Sequence, residues 1–260
     1  MMSAVERMNK DRNIHIVIPC YNEEGRLPFG TLLELLHSEP GLRLTIADDG
    51  STDGTRDLAQ RMHEALPDRI LVHGLVHNMG KAEAVRQGML KTLEHWPDAE
   101  YIGYFDADMA TPISEAFLMR QRTEPREPMI ILGSRVDLLG TTDIQRSPYR
   151  HYFGRVFATM VSMQLGIPVY DTQCGAKLIR ADHVRKLFDE PFLTRWLFDV
   201  ELLWRCMALV GRNGMREHVA EVPLVRWHEQ GGSKVRITDA IKVPFGLWRV
   251  AKHYRGRVRK

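Results

Sequence analysis

With 260 residues, 44% of them hydrophobic and 27% charged, the chain has the material for a substantial core and none of the bias of a disordered, collagen-like or disulfide-stapled protein. Its net charge of +3 is uneven: Arg249, Lys252, Arg255, Arg257, Arg259 and Lys260 stand together without an acidic neighbour, and setting those six aside leaves −3 on residues 1–248. A mildly acidic body with a basic end disfavours a nucleic-acid binder and leaves two readings of the tail, an anionic membrane surface as partner or a solvated terminus.

The elements follow in chain order. His15–Ile18 reads as a short strand closed by Pro19, which has no N–H to give a ladder. Leu27, Leu32, Leu35 and Leu36 recur at helical spacing and predict a helix over 24–37. Leu42–Ala47 is the second strand, and Asp53 is expected to cap a helix over Thr55–Ala65. Ile70–Gly74, a helix over 80–95, and Tyr101–Phe105 complete an alternation that implies right-handed crossovers and a mainly parallel sheet. The second half is less regular. Met129–Leu132 reads as a strand, a loop rich in Gly, Thr and Pro follows, and helices are expected over Tyr149–Leu165, Asp182–Phe188 and Phe198–Val210, with a strand near Val219–Val225.

Cys20, Cys174 and Cys206 form no CxxC pair, so neither a zinc site nor a disulfide framework is indicated and a reducing compartment is expected. No signal-peptide pattern opens the chain. The longest uncharged run, Val156–Tyr170, has 15 residues and is short for a spanning helix, so no transmembrane segment is predicted.

Ligands of parallel sheets bind beyond the carboxyl ends of the strands. The polar clusters Tyr21-Asn22-Glu23, Asp48-Asp49-Gly50-Ser51, His77–Lys81 and Asp106-Ala107-Asp108 each follow one of the first four strands, so all four are expected along one edge. Asp106 and Asp108 are hard oxygen ligands suited to Mg²⁺ or Mn²⁺. A carboxylate beyond the second strand suits the hydrogen-bond donors of a base or ribose, while the same stretch also reads as a capping turn. Gly80-Lys81 at a helix start favours an anion, and the absence of GxxxxGK[ST] excludes a P-loop.

Taken together, Val17-Ile18-Pro19-Cys20-Tyr21-Asn22-Glu23-Glu24, Asp48–Thr55, Asn78-Met79-Gly80-Lys81 and Asp106-Ala107-Asp108 resemble the ordered motifs of inverting family 2 glycosyltransferases of the GT-A fold. Gly133-Ser134-Arg135, Asp171–Lys177, Arg195–Leu202 and Gly232-Ser233-Lys234 are similar to the dolichyl-phosphate β-glucosyltransferase branch, with polyprenyl-phosphate mannose synthases as cousins. The resemblance implies an α/β chain with a Rossmann-like, mainly parallel central sheet flanked by helices. It divides the sequence into an extension (1–12), a catalytic domain (13–235, with a nucleotide-sugar half over 13–110 and an acceptor half over 111–235) and a basic amphipathic C-terminal segment (236–260).

It also implies roles. Pro19, Tyr21, Glu23 and Asp49 would line the nucleoside pocket with Asp48 beside them, Lys81 would face the diphosphate, Asp106 the ribose or the metal, and Asp108 the metal. Arg135, Arg150 and Lys234 would bind the acceptor phosphate. An anionic phosphate nucleophile needs no strong base; a hydroxyl acceptor needs one, and Asp199 stands where inverting relatives place theirs, or else is a carboxylate favoured at a helix start. The mannose synthases have glutamine where this chain has Ala110, so fewer protein ligands are expected for the metal. The implied reaction is hexosyl transfer, glucose from UDP-glucose being favoured over GDP-mannose, to a polyprenyl phosphate at the inner, cytoplasmic face of a membrane. A nucleic-acid module and a nucleotidyltransferase are the competing readings, and no basic triphosphate loop supports the latter.

Overall fold

The computed structural model describes residues 13–138, 140, 142–145, 148–229 and 237–258, with backbone alone at 145, 148–153 and 237–242. The first half alternates as β1 (Ile14–Cys20), α1 (Phe29–Ser38), β2 (Leu42–Asp48), α2 (Thr55–Ala65), β3 (Ile70–Gly74), α3 (Lys81–His95) and β4 (Tyr101–Phe105). There follow α4 (Glu115–Thr123), β5 (Ile130–Ser134), β6 (Asp143–Gln145), α5 (Pro148–Leu165), β7 (Ala176–Arg180), α6 (Ala181–Phe188), α7 (Phe198–His218), β8 (Val219–Pro223), β9 (Arg226–His228) and α8 (Ile237–Tyr254).

Among the described residues seven strands form one sheet in the order β3-β2-β1-β4-β7-β5-β8, and β6 pairs with β9 in a separate ribbon. Every pairing in the large sheet is parallel except those of β7, which runs antiparallel between β4 and β5. The inner strands β1, β2, β4, β7 and β5 are buried on both faces, so they read as continuous apolar runs rather than alternating ones, while the edge strands β3 and β8 are half-buried. Ile16, Ile18, Tyr101 and Phe105 face one core, beneath α1, α2 and α4. Val17, Ile102 and Tyr104 face the other, beneath α3, α6 and α7. Helix α3 lies close on β1, since a Cβ at Gly88 would meet Val17 Cγ1 at 2.5 Å.

Several boundaries differ from the sequence expectation. Helix α1 begins at Phe29, after Pro28, because residues 24–27 form a turn closed by Arg26 and Leu27 N–H groups on the Glu23 carbonyl. Helix α2 starts at Thr55 with Gly54 before it, so Asp53 stands one residue ahead of the capping position; its carboxylate still accepts the Thr55 N–H at 3.0 Å. Helix α7 runs on to His218, with a kink at Gly211. Helix α8 continues through Pro244, which lies on its exposed face where water can satisfy the freed carbonyl.

Among the described residues no helix is long and apolar enough to cross a membrane. Helix α8 instead buries Val243, Leu247, Val250, Ala251 and Tyr254 in the core and turns Phe245 and Trp248 outward.

One buried group on β1 makes stability depend on pH. His15 is fully buried with Arg43 Nη1 3.3 Å from its Nε2, and burial, then Arg43, depress its pKa from 6.5 to about 4. Between those values the unfolded chain binds a proton that the folded one refuses, so stability rises with pH across that window and is fully present above it. The shift corresponds to about 3 kcal/mol. Urea unfolding is expected to show lower stability at pH 5.5 than at pH 6.5, where carboxylates titrate little, and His15→Asn is expected to flatten that difference.

Candidate active site

The loops after β1 to β5 converge at the carboxyl edge of the sheet on a cleft of about 460 Å³. Pro19, Tyr21, Glu23, Asp49, Lys81, Asp106, Asp108 and Arg135 all line it. A larger groove of about 850 Å³ lies at the opposite edge, beside Ala99 and Ala181, away from the motif loops. Site and strand ends therefore coincide as parallel-sheet geometry requires.

Side chains stitch these loops together. Asn22, with φ of 53°, accepts the Thr52 N–H at 2.9 Å while its own N–H meets Ser51 Oγ at 3.0 Å, joining the loops after β1 and β2. The Asp49 carboxylate accepts the N–H groups of Met79 (2.7 Å) and Gly80 (2.8 Å), joining the loops after β2 and β3. Burial raises the Asp49 pKa, and those two N–H groups and the Arg195 charge oppose the rise. Asp48 sits elsewhere than sequence reasoning put it. It is fully buried behind the cleft, its oxygens held by the Ser51 N–H (3.0 Å) and Arg56 Nε (2.9 Å), so it shapes the turn. Glu23 pairs with Arg26 at 2.8 Å, and Tyr21 stands exposed at the rim.

Lys81 opens α3 and reaches Asp106, Nζ to Oδ1 2.5 Å. Burial disfavours its charge, but Asp106, Asp199 and Asp108 outweigh that and raise its pKa. Asp108 Oδ1 accepts the Ala110 N–H at 3.0 Å, leaving Oδ2 for the cleft. Among the described residues no three His, Cys, Asp or Glu side chains cluster as a metal site. Two hard carboxylates at an open cleft still fit Mg²⁺ or Mn²⁺, ions that keep several waters and take substrate phosphates as further ligands. Asp106 and Asp108 are the residues that would hold such an ion.

Across the cleft, Arg135 follows β5 and donates through Nε (2.6 Å) and Nη2 (2.8 Å) to Asp171. Its guanidinium carbon lies 5.4 Å from the Trp227 ring centre, and Nη1 bonds to none of the described residues. Asp171 is itself placed by Glu221, whose carboxylate accepts the N–H groups of Tyr170 and Asp171. The other two residues assigned to the acceptor phosphate, Lys234 and the Arg150 side chain, lie outside the described residues.

Asp199, at the start of α7, is buried. Its Oδ1 takes the Lys177 ammonium at 2.7 Å and the Tyr104 hydroxyl at 2.6 Å. Burial first, then the Asp199 charge, push the Tyr104 pKa well above its usual value, so the hydroxyl stays protonated and donates. Sequence reasoning did not anticipate Lys177, Tyr104, Asp171 or Arg195 as individuals, although three of them fall inside stretches flagged by resemblance. The missing signal for Tyr104 was its place one residue before the end of an apolar strand.

With this geometry, the match to known proteins is specific. Residues 15–188 match the family described as glycosyl transferase family 2. The chain belongs to glycosyltransferase family 2. This family 2 enzyme is 33% identical over 251 residues to a dolichyl-phosphate beta-glucosyltransferase of Trichomonas vaginalis, covering 92% of this chain and 71% of that protein. The dolichyl-phosphate beta-glucosyltransferase of Drosophila melanogaster is 32% identical, covering 90% and 71%. Among solved structures, glucosyl-3-phosphoglycerate synthase from Mycobacterium tuberculosis with UDP superposes with a TM-score of 0.66 at 16% identity, over 98% of this chain and 84% of that one. The same protein with Mn²⁺, UDP-glucose and glycerol 3-phosphate gives 0.64 at 17% identity, over 98% and 84%. The likeness is one of fold, and the family 2 enzyme has the GT-A architecture.

Proposed function

We propose that this glycosyltransferase moves glucose from UDP-glucose to a polyprenyl or dolichyl phosphate, inverting the anomeric carbon. The observation that carries the reading is that Arg135, braced by Asp171, lines the same cleft as Lys81, Asp106 and Asp108. A cation for the acceptor thus shares one cleft with the groups suited to a nucleoside diphosphate sugar. The names of the relatives and the UDP-glucose bound by the structural neighbour agree with this assignment.

Tyr21 covers the base, with Pro19 and Glu23 beside it. Asp49 keeps a lone pair on each oxygen to accept the imide hydrogen of uracil. Asp106 and Asp108 would hold a divalent cation, which when bound would neutralise charge on the leaving diphosphate. Lys81, at the amino end of α3, adds a donor and the positive end of the helix dipole there. Arg135 orients the acceptor phosphate, aided by Arg150 and Lys234, and an ionised phosphate oxygen attacks without surrendering a proton to the enzyme.

In this reading Asp199 is a positioning group. Its Oδ1 is already taken by Lys177 and Tyr104, and its charge acts on Lys81. Transfer to a hydroxyl would instead require Asp199 to accept a proton. The catalytic domain over 13–235, with its donor and acceptor halves, and the segment over 236–260 remain our division of labour.

The enzyme then meets its lipid acceptor from the membrane surface, at the inner face. Phe245 and Trp248 are exposed and stacked, ring centres 5.8 Å apart, with Lys252 Nζ 4.9 Å from the Trp248 ring. Helix α5 lies alongside, Gln164 Nε2 donating to the Leu247 carbonyl, and exposes Val156, Met160 and Met163. Apolar side chains flanked by basic ones suit an anionic interface, where each Lys or Arg contributes about 1 kcal/mol.

The test is incubation with UDP- and GDP-sugars and a short polyprenyl phosphate, with Mg²⁺, Mn²⁺ or chelator, read by product mass. A hexosyl phospholipid formed from UDP-glucose and lost with chelator is expected. Turnover of GDP-mannose alone would reassign the donor, and product only on hydroxyl acceptors would overturn the reading.

A further inference from the structure

The segment between α6 and α7 carries a cation that the account above leaves without a role. Arg195 is exposed and within ion-pair distance of no carboxylate among the described residues. Its side chain nevertheless lies over the donor loop. A Cβ built on Gly80 would stand 3.1 Å from Arg195 Cδ and 3.5 Å from Nε. Gly80 has φ of 96°, a conformation suited to glycine, and immediately precedes Lys81 at the start of α3. The Arg195 charge also acts on Asp49, and the next residue, Trp196, lines the cleft.

The backbone that presents Arg195 is firmly held. Glu201 Oε2 accepts the Leu193 N–H at 2.9 Å. Arg205 donates to the carbonyls of Leu187, Glu190 and Pro191, each at 2.8 Å. Glu201 Oε1 joins Arg205 Nη2 (3.0 Å) and the Tyr254 hydroxyl (2.9 Å), which ties the segment to α8. A guanidinium without an ion-pair partner among the described residues, on a braced segment beside a helix amino end and a lysine, is poised for a doubly charged anion.

We propose that Arg195 is a donor-binding residue that grips the diphosphate of the nucleotide sugar beside Gly80 and Lys81. The inference rests on the nucleotide-sugar reading and adds a residue that reading does not require. Guanidinium binds diphosphate oxygens in a planar fork, whereas a lysine there would offer a point charge.

The test compares binding of UDP and of uridine by calorimetry, with Mn²⁺ present, for the full chain and for Arg195→Ala and Arg195→Lys. Loss of one charge-assisted contact is expected to weaken UDP binding by about tenfold or more in Arg195→Ala, with Arg195→Lys between, while uridine affinity stays within about twofold. Unchanged UDP affinity, or equal weakening of UDP and uridine, would overturn the assignment, the second marking Arg195 as a structural part of the base pocket. If the unaltered enzyme bound GDP rather than UDP, the same comparison would be made with GDP and guanosine. If it bound neither diphosphate, the nucleotide-sugar reading itself would fall and this inference with it.

Discussion

Asp108→Asn is expected to lower kcat/KM for sugar transfer by about a thousandfold or more while leaving the unfolding midpoint nearly unchanged. Asn keeps the carbonyl oxygen that accepts the Ala110 N–H, so the turn after β4 retains its bond. What disappears is one of the two negative charges of the Asp106–Asp108 pair, and among the described residues no three such side chains cluster as a metal site. Electrostatic stabilisation of charge growing on a leaving group is the largest catalytic contribution in such sites, and one lost donor or ligand commonly lowers the rate by about 10²–10³. With one of the two carboxylates proposed to hold the ion gone, a larger loss is expected, together with weaker Mn²⁺ binding. Steady-state kinetics over a range of Mn²⁺ concentrations and a thermal melt check both parts. Full activity with unaltered metal dependence would remove Asp108 from the metal site.

Gly175→Ala should act on the same centre by a different route. The strand entering β7 passes so near β4 that Asp106 N–H donates to the Gly175 carbonyl at 3.1 Å. A methyl group on Gly175 would overlap the Asp106 carboxylate itself. Backbone on both sides is fixed by the sheet, so the carboxylate is the part that must move, away from Lys81 and out of register with Asp108. Transfer is expected to fall by about a hundredfold, in line with the sensitivity of catalysis to displacements near 1 Å. A double-mutant cycle distinguishes this from general damage: in an Asp106→Ala background, Gly175→Ala should cost little further activity, because the group it displaces is gone. Additive losses would show that Gly175 acts on something other than Asp106.

The first four strands and the loops after them were legible because each is a local pattern, an apolar run followed at once by polar residues. Parallel topology then sends Tyr21, Asp49, Lys81 and Asp106 to one edge without further information. The parts that escaped depend on long-range pairing. Helix α4 buries Glu115 and Arg120 among its apolar residues, Glu115 accepting the Val225 N–H and Arg120 pairing with Glu100 at 2.7 Å, so its sequence lacks a clean amphipathic period. Strand β7 contains the fully buried Lys177, which reads as a loop residue until Asp199, 22 positions on, supplies its counter-charge.

The same reasoning explains the places of Asp48 and Asp199. Asp48 and Asp49 are neighbours on an alternating chain end, so when one faces the cleft the other turns into the protein, and Arg56 decides which. Asp199 could be read as a base or as a helix-start carboxylate from sequence alone. Its contacts with Lys177 and Tyr104 tie together three separate segments and favour a fixed, positioning role. Arg195 lies within a motif of the sequence, and its packing against Gly80 is what gives it a direction.

The most direct test of the account is the chemical identity of the product formed from UDP-glucose, a short polyprenyl phosphate and Mn²⁺. Mass spectrometry with phosphorus and proton NMR is expected to show a glucosyl phosphodiester in the β configuration, inverted from the α-linked donor. Glucose attached through a hydroxyl oxygen, or an α-linked phosphodiester, would contradict direct attack by the acceptor phosphate.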